Sequence, residues 1–292
     1  MSEVILKDVE YVLPAEKIDM DGFPVKQALP THKIQQVDPF LLLHHASVKF
    51  NKNREARHQG VGPHPHRGFS PVTFIVDGEV RHRDSWGHDQ VAKKGEVQWM
   101  NAGAGIVHSE RPSEDLLQDS ARQEIIQLWI NSPSSAKMLP PEYTFLSKEA
   151  MPLIVSEDKK IETKLIAGTY KDQRGKVTPK SELLVLWVSG KDTGFEQFEI
   201  PNDFNCILYL IKGSLFIKGY GIVEAEQLVV YEINGNGIEV TLKQDSQFLL
   251  LSGKPIEEKV TQHGPYVMNT QTEVLEAMRD YQMGKMGILI ED

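Results

Sequence analysis

The sequence predicts an all-β chain, two β-barrels in tandem with a short helix near the C-terminus. Three observations predict it. Apolar residues fall in runs of five to eight, alternating or continuous, with Gly, Asp and Asn between the runs. Strands so short and so spaced suit barrels or sandwiches rather than βαβ units. The pattern also occurs twice, on either side of a proline-rich middle (Pro133, Pro140, Pro141, Pro152), and 292 residues suffice for two ordinary domains. The expected division is 1–135 and 136–292.

The elements follow in order. Met1 to Asp8 alternates apolar and polar residues, lacks a secretory core and reads as a first strand of a cytoplasmic protein. Val72-Thr73-Phe74-Ile75-Val76 runs into Asp77-Gly78, a hairpin-turn dipeptide, and Glu79 to Asp84 leads away as the polar partner strand. Further strands are expected over 97–100 and 123–130. Beyond the prolines the same reading gives 183–188, 207–212, 215–218, 227–233, 237–242 and 247–252. The final helix has a capping box in Thr270 and Glu273, apolar positions Leu275, Met278 and Tyr281, and Gly284 as its stop. It is expected to pack on the second barrel.

Composition narrows the function. Hydrophobic residues make up 40% and charged residues 25%, a globular balance. The net charge of −9 argues against a broad nucleic-acid or anionic-membrane footprint. No stretch approaches the roughly 20 apolar residues of a membrane helix. Cys206 is the only cysteine and sits in an apolar run, so it reads as a core thiol; internal disulfides, zinc fingers and iron–sulfur clusters are excluded.

The histidines carry the functional signal. Nine of ten precede residue 110, and the second half holds only His263. Two pieces stand out, His64-Pro65-His66 and His108-Ser109-Glu110. In a strand, residues i and i+2 share a face roughly 6.6 Å apart, so each piece can aim two ligands at one point. Three imidazoles and a carboxylate suit Fe, Mn, Zn, Ni or Cu rather than Mg or Ca. Such a set leaves positions open for substrate or dioxygen, as catalytic sites require. The small residues Asn101 to Gly105 let backbone pass close by.

Residues 62–69 (Gly-Pro-His-Pro-His-Arg-Gly-Phe), 95–100 (Gly-Glu-Val-Gln-Trp-Met) and 102–110 (Ala-Gly-Ala-Gly-Ile-Val-His-Ser-Glu) resemble the signature of the pirin family. Asp38 to Leu42 and Gln262 to Thr270 resemble pirin as well, so the likeness spans nearly the whole chain. It implies two tandem cupin (double-stranded β-helix) barrels, the N-terminal one holding metal and the C-terminal one without it. It places the ligand role on His64, His66, His108 and Glu110, for one divalent metal: Fe(II) first, with Zn, Mn, Ni, Cu or Co as alternatives. Many pirins carry a glutamate where this chain has Ser70, a departure that leaves the ligand set intact.

Around this set, His82 and His88 are expected as surface histidines on a loop, with contact to a ligand or substrate as the alternative, Phe69 and Trp99 as pocket walls, and Gln98 and Gln127 as candidates for orienting a ligand's second nitrogen or a substrate oxygen. His44 and His45 are candidates for the pocket mouth, and His263 for a structural hydrogen bond. The resemblance implies a quercetin 2,3-dioxygenase-like enzyme that opens flavonols with dioxygen, Glu110 acting as general base. The alternative it leaves open is a non-enzymatic, iron-dependent regulator that binds a protein partner. The remaining expectations are a monomer, no direct nucleic-acid contact and no membrane contact.

Overall fold

The computed structural model describes residues 4–20 and 22–291. Two compact units form, each assembled from separated stretches. One holds the N-terminal stretch to Glu16, Ala28–Pro39 and Glu149–Pro255. The other holds Lys17–Gln27, Phe40–Lys148 and the C-terminal stretch from Ile256. Among the described residues no helix is long and apolar enough to cross a membrane.

The unit built around Phe40–Lys148 contains the histidine-rich segments. Its larger sheet has seven strands in the order Glu142–Leu146, Val97–Asn101, Phe69–Asp77, Arg122–Asn131, Phe40–Lys49, Phe23–Leu29 and Glu16–Met20. Its smaller sheet orders Val61–His66, Ile106–Arg111, Glu79–Asp84 and Asp89–Lys93. The expected hairpin turns at Asp77-Gly78, where Gly78 takes φ +75°; a side chain there would collide with the Arg122 carbonyl.

The unit containing Glu149–Pro255 repeats the plan. A seven-stranded sheet runs Val9–Pro14, Gln227–Tyr231, Asn205–Lys212, Gln247–Gly253, Leu183–Gly190, Ile161–Ala167 and Leu153–Val155. A four-stranded sheet runs Gly194–Glu199, Gly237–Leu242, Ser214–Ile217 and Gly221–Glu224. Period-two residues of the two sheets meet in one apolar core: Leu184, Leu186 and Val188 and Cys206, Leu208 and Leu210 from one, Phe198, Leu215 and Val240 from the other. Cys206 is a buried free thiol, as expected, and burial pushes its pKa up to about 12.

Two expectations change. The first strand lies at Val9–Pro14 rather than over 1–8, with Leu6 making a single bridge to Gly237; Met1–Glu3 lie outside the described residues. The helix Gln271–Gln282 has the expected Thr270–Glu273 capping box, but it belongs with the histidine-rich unit. Ala277 and Met278 pack on Val107, Tyr266 and Met286, while Leu275 and Tyr281 face out. The apolar stripe therefore runs through Val274 and Ala277, where small residues let the helix sit close.

That helix is tied down by buried charge. Arg67, 4% exposed, donates through Nη1 and Nη2 to Asp280 at 3.1 Å and through Nε to the Ala104 carbonyl at 2.6 Å. Lys137, also buried, gives its ammonium to the carbonyls of Gly68 (2.8 Å) and Val267 (2.9 Å) and to Asn131 Oδ1 (2.7 Å). Gly68 needs φ +88° and has no room for a side chain against the Val267 carbonyl, so strand Val61–His66 can turn sharply into Phe69–Asp77.

Candidate metal centre

Strands Val61–His66 and Ile106–Arg111 pair antiparallel, with His64 directly opposite His108 and His66 opposite Ile106. That register brings three of the four expected ligands together. One nitrogen from each of His64, His66 and His108 lies within 4.8 Å of the others. The ring centroids are 4.4 Å apart for His64 and His108, 4.7 Å for His64 and His66, and 4.8 Å for His66 and His108. Glu110 follows on the same strand, past a register shift in the pairing, and its carboxylate is not part of that 4.8 Å group. Instead Thr73 donates to its Oε1 at 2.9 Å and Gln127 to its Oε2 at 2.8 Å.

The donors fit a late first-row transition metal. His64 donates Nδ1–H to the Gly62 carbonyl at 2.8 Å, which leaves Nε2 as a lone pair; that atom lies 3.0 Å from His66 Nε2. His108 Nε2 is buried with no hydrogen-bond partner, a cost that a cation would remove. Burial, and then the neighbouring imidazoles, hold the pKa values of His66 and His108 well below the ordinary histidine value. The His66 and His108 rings are thus neutral, as metal ligation demands.

A cavity of about 360 Å³ has Glu110 in its lining. Phe23, Val25, Val48, Val80 and Ile125 make it largely apolar, and Gln127, Gln123 and His44 join Glu110 as its polar groups. His44 thus stands in the lining; its Nε2 meets Gln27 at 2.9 Å, and burial lowers its pKa to about 4. His45 does not: it pairs with Glu124 at 2.8 Å. A larger groove of about 660 Å³ in the other unit, lined by Lys171, Asp172, Gln197 and Glu199, brings together no comparable ligand group among the described residues.

The residues around the centre partly depart from expectation. His82 is a buried strand residue, 2% exposed, rather than a surface histidine, because Glu79–Asp84 is the neighbour of the ligand strand. Gln127 donates to the Glu110 carboxylate rather than meeting an imidazole nitrogen. Gln98 points elsewhere, toward the Val80 and Gln90 carbonyls. Ser70 lies buried with its hydroxyl toward Asn101 Oδ1 at 3.5 Å, and His263 is exposed. Phe69 walls the centre, its ring 5.0 Å from His66, alongside Trp129 at 5.3 Å. Trp129, Thr73, Asp84 and Tyr143 were not anticipated. For Asp84 a signal existed in its i, i+2 spacing from His82.

The family model described as Pirin matches residues 22–130, and that described as Pirin C-terminal cupin domain matches residues 187–287. The chain belongs to the pirin family. A pirin-like protein of Solanum lycopersicum is 33% identical over 96% of this chain and 92% of its own. A Pseudomonas aeruginosa protein, named provisionally as a quercetin 2,3-dioxygenase, is 36% identical over 91% of this chain and 92% of its own. The crystal structure of a quercetin 2,3-dioxygenase from Acinetobacter baumannii, 32% identical, superposes with a TM-score of 0.89 over 98% of this chain and all of that one. A bacterial pirin from Escherichia coli, solved with nickel(II), shares the fold at a TM-score of 0.64 and 19% identity over 84% of this chain and 99% of that one. The two barrels of this pirin are accordingly cupin domains.

Proposed function

We propose that this pirin is a metal-dependent dioxygenase for planar aromatic substrates that carry an acidic hydroxyl, of the flavonol type exemplified by quercetin. The observation that carries the reading is the apolar cavity of about 360 Å³ lined by Glu110, which lies two residues along its strand from His108 of the three-histidine group. Its volume lies within the usual range for small-molecule sites, roughly 300–1,000 Å³.

His64, His66 and His108 would hold the metal, with Glu110 as the carboxylate of the set; Fe(II) is the proposed ion, and a fold neighbour solved with nickel(II) supports Ni as an alternative. When bound, the metal supplies Lewis acidity that makes a substrate hydroxyl easier to ionise. Glu110 takes that proton on a carboxylate oxygen, acting as general base. Thr73 and Gln127 aim the carboxylate, and Gln127 is itself held through Oε1 by Trp129 Nε1–H at 3.3 Å. Phe23, Val25, Val80 and Ile125 would keep water from the ionised ring.

A second reading has one observation in its favour. The three histidines do not line the cavity, and His66 and His108 are only 2% exposed. A centre so closed suits an iron-dependent regulator whose oxidation state adjusts a protein-binding surface. Oxygen uptake with quercetin separates the two, using protein stripped of metal and reloaded anaerobically with Fe(II), beside a His64→Ala control. The enzyme reading expects uptake that disappears in the control. Fully iron-loaded protein that consumes no oxygen would leave the regulatory reading.

A further inference from the structure

Behind His108 lies a chain of hydrogen bonds that no ligand assignment uses. His108 Nδ1 faces His82 Nδ1 at 3.3 Å, and His82 Nε2 faces Asp84 Oδ2 at 2.9 Å. Asp84 is fully buried and receives further donors: Trp86 N–H at 2.9 Å, His88 N–H at 3.1 Å and His88 Nδ1 at 2.8 Å. An aspartate gathering that many donors is an ionised acceptor. Tyr143 stacks on the His82 ring, with centroids 4.3 Å apart and an interplanar angle of 13°, and so fixes the plane in which both of its nitrogens bond. The strand register enforces the arrangement, because His108 lies opposite Asp84 and Glu110 opposite His82.

We propose that Asp84 and His82 are positioning residues that dictate the tautomer of His108, so that its Nε2 lone pair is turned to the metal. Asp84 can only accept, so His82 donates from Nε2. His82 Nδ1 is assigned as the acceptor, to which His108 donates Nδ1–H across 3.3 Å. His108 Nε2 is left unprotonated among His64 and His66, where it is buried and without any other partner. An imidazole anchored through its second nitrogen is also held against rotation. The proposal rests on the metal-centre reading above only for its consequence; the tautomer is a property of the protein without metal.

The test is long-range ¹H–¹⁵N NMR of the histidine rings in metal-free protein, joined to chelator-competition measurement of Ni(II) and Co(II) affinity. Wild-type His108 is expected as the Nδ1–H form. In Asp84→Asn the amide can donate to His82 Nε2, which reverses every bond in the chain. That variant is expected to show His108 as the Nε2–H form and to bind metal about 10–100-fold more weakly. His82→Gln, which can still accept from His108 and donate to Asp84, is expected to stay near wild-type affinity, whereas His82→Phe is not. Wild-type His108 protonated on Nε2 would overturn the proposal, whether or not the Asp84→Asn chain folds. So would a well-folded Asp84→Asn protein with unchanged tautomer and affinity. Wild-type protein with the expected tautomers and no affinity for either metal would instead overturn the metal-centre reading.

Discussion

Glu110 carries two duties in this account, metal carboxylate and proton acceptor, and they can be separated at the level of one atom. Replacing it with Gln keeps the shape and one acceptor oxygen for Thr73 but removes the charge and the basicity. Glu110→Gln is expected to retain measurable metal while turnover of quercetin falls by at least about 10²-fold, the scale of a lost general base. Metal content by mass spectrometry beside steady-state rates checks this, and unchanged turnover would remove the base assignment. At this scale the sequence was informative, since the i, i+2 spacing of His64 and His66 on one strand needs no tertiary information. Thr73 and Gln127 were harder to see as a pair. They meet only because Arg122–Asn131 and Phe69–Asp77 are neighbours with Gln127 opposite Thr73, and a sequence does not print that register.

At the scale of elements, His82 shows why a local reading falls short. A polar, alternating strand after a hairpin turn looks solvent-exposed on its own. Its burial comes from pairing with Ile106–Arg111 on one side and Asp89–Lys93 on the other. The final helix shows the same limit. Its cap was legible because capping is local, but which stripe faces inward depends on the strand and hairpin beneath it. Lys137 is the element-scale tie whose chemistry can be tested. Burial lowers its pKa from 10.5 to about 8. Between those values the unfolded chain binds more protons than the folded one, so the contribution of Lys137 to stability rises with pH across that window. Below pH 8 both states hold the proton and its contribution is flat. Denaturant unfolding of wild type and Lys137→Met is expected to show a stability difference that shifts in favour of wild type from pH 8 to pH 10. A difference independent of pH over that range would contradict the buried-cation description.

Across the whole molecule, one sheet plan is used for two interiors. The histidine-rich unit keeps polar side chains and a cavity inside its sheets. The other fills the corresponding space with a large cluster of apolar side chains from both sheets. The uneven histidine distribution announced that asymmetry in the sequence, but the sharing of stretches between the units was not visible there, because chain order does not reveal which strand completes which sheet. The apolar interior should behave as a close-packed core. Leu208, 0% exposed, is expected to cost about 2–5 kcal/mol of unfolding free energy when replaced by Ala, measured by urea titration. A loss below about 1 kcal/mol would mean that this interior is not tightly packed.

The claim on which the rest depends is that His64, His66 and His108 form a metal centre. Anaerobic titration of metal-stripped protein with Fe(II) or Ni(II), read by calorimetry and by the melting temperature, tests it most directly. One metal per chain is expected, with a melting temperature that rises with metal concentration and loss of both in His108→Ala. Wild-type protein that takes up no stoichiometric metal and melts at the same temperature with and without it would contradict the account.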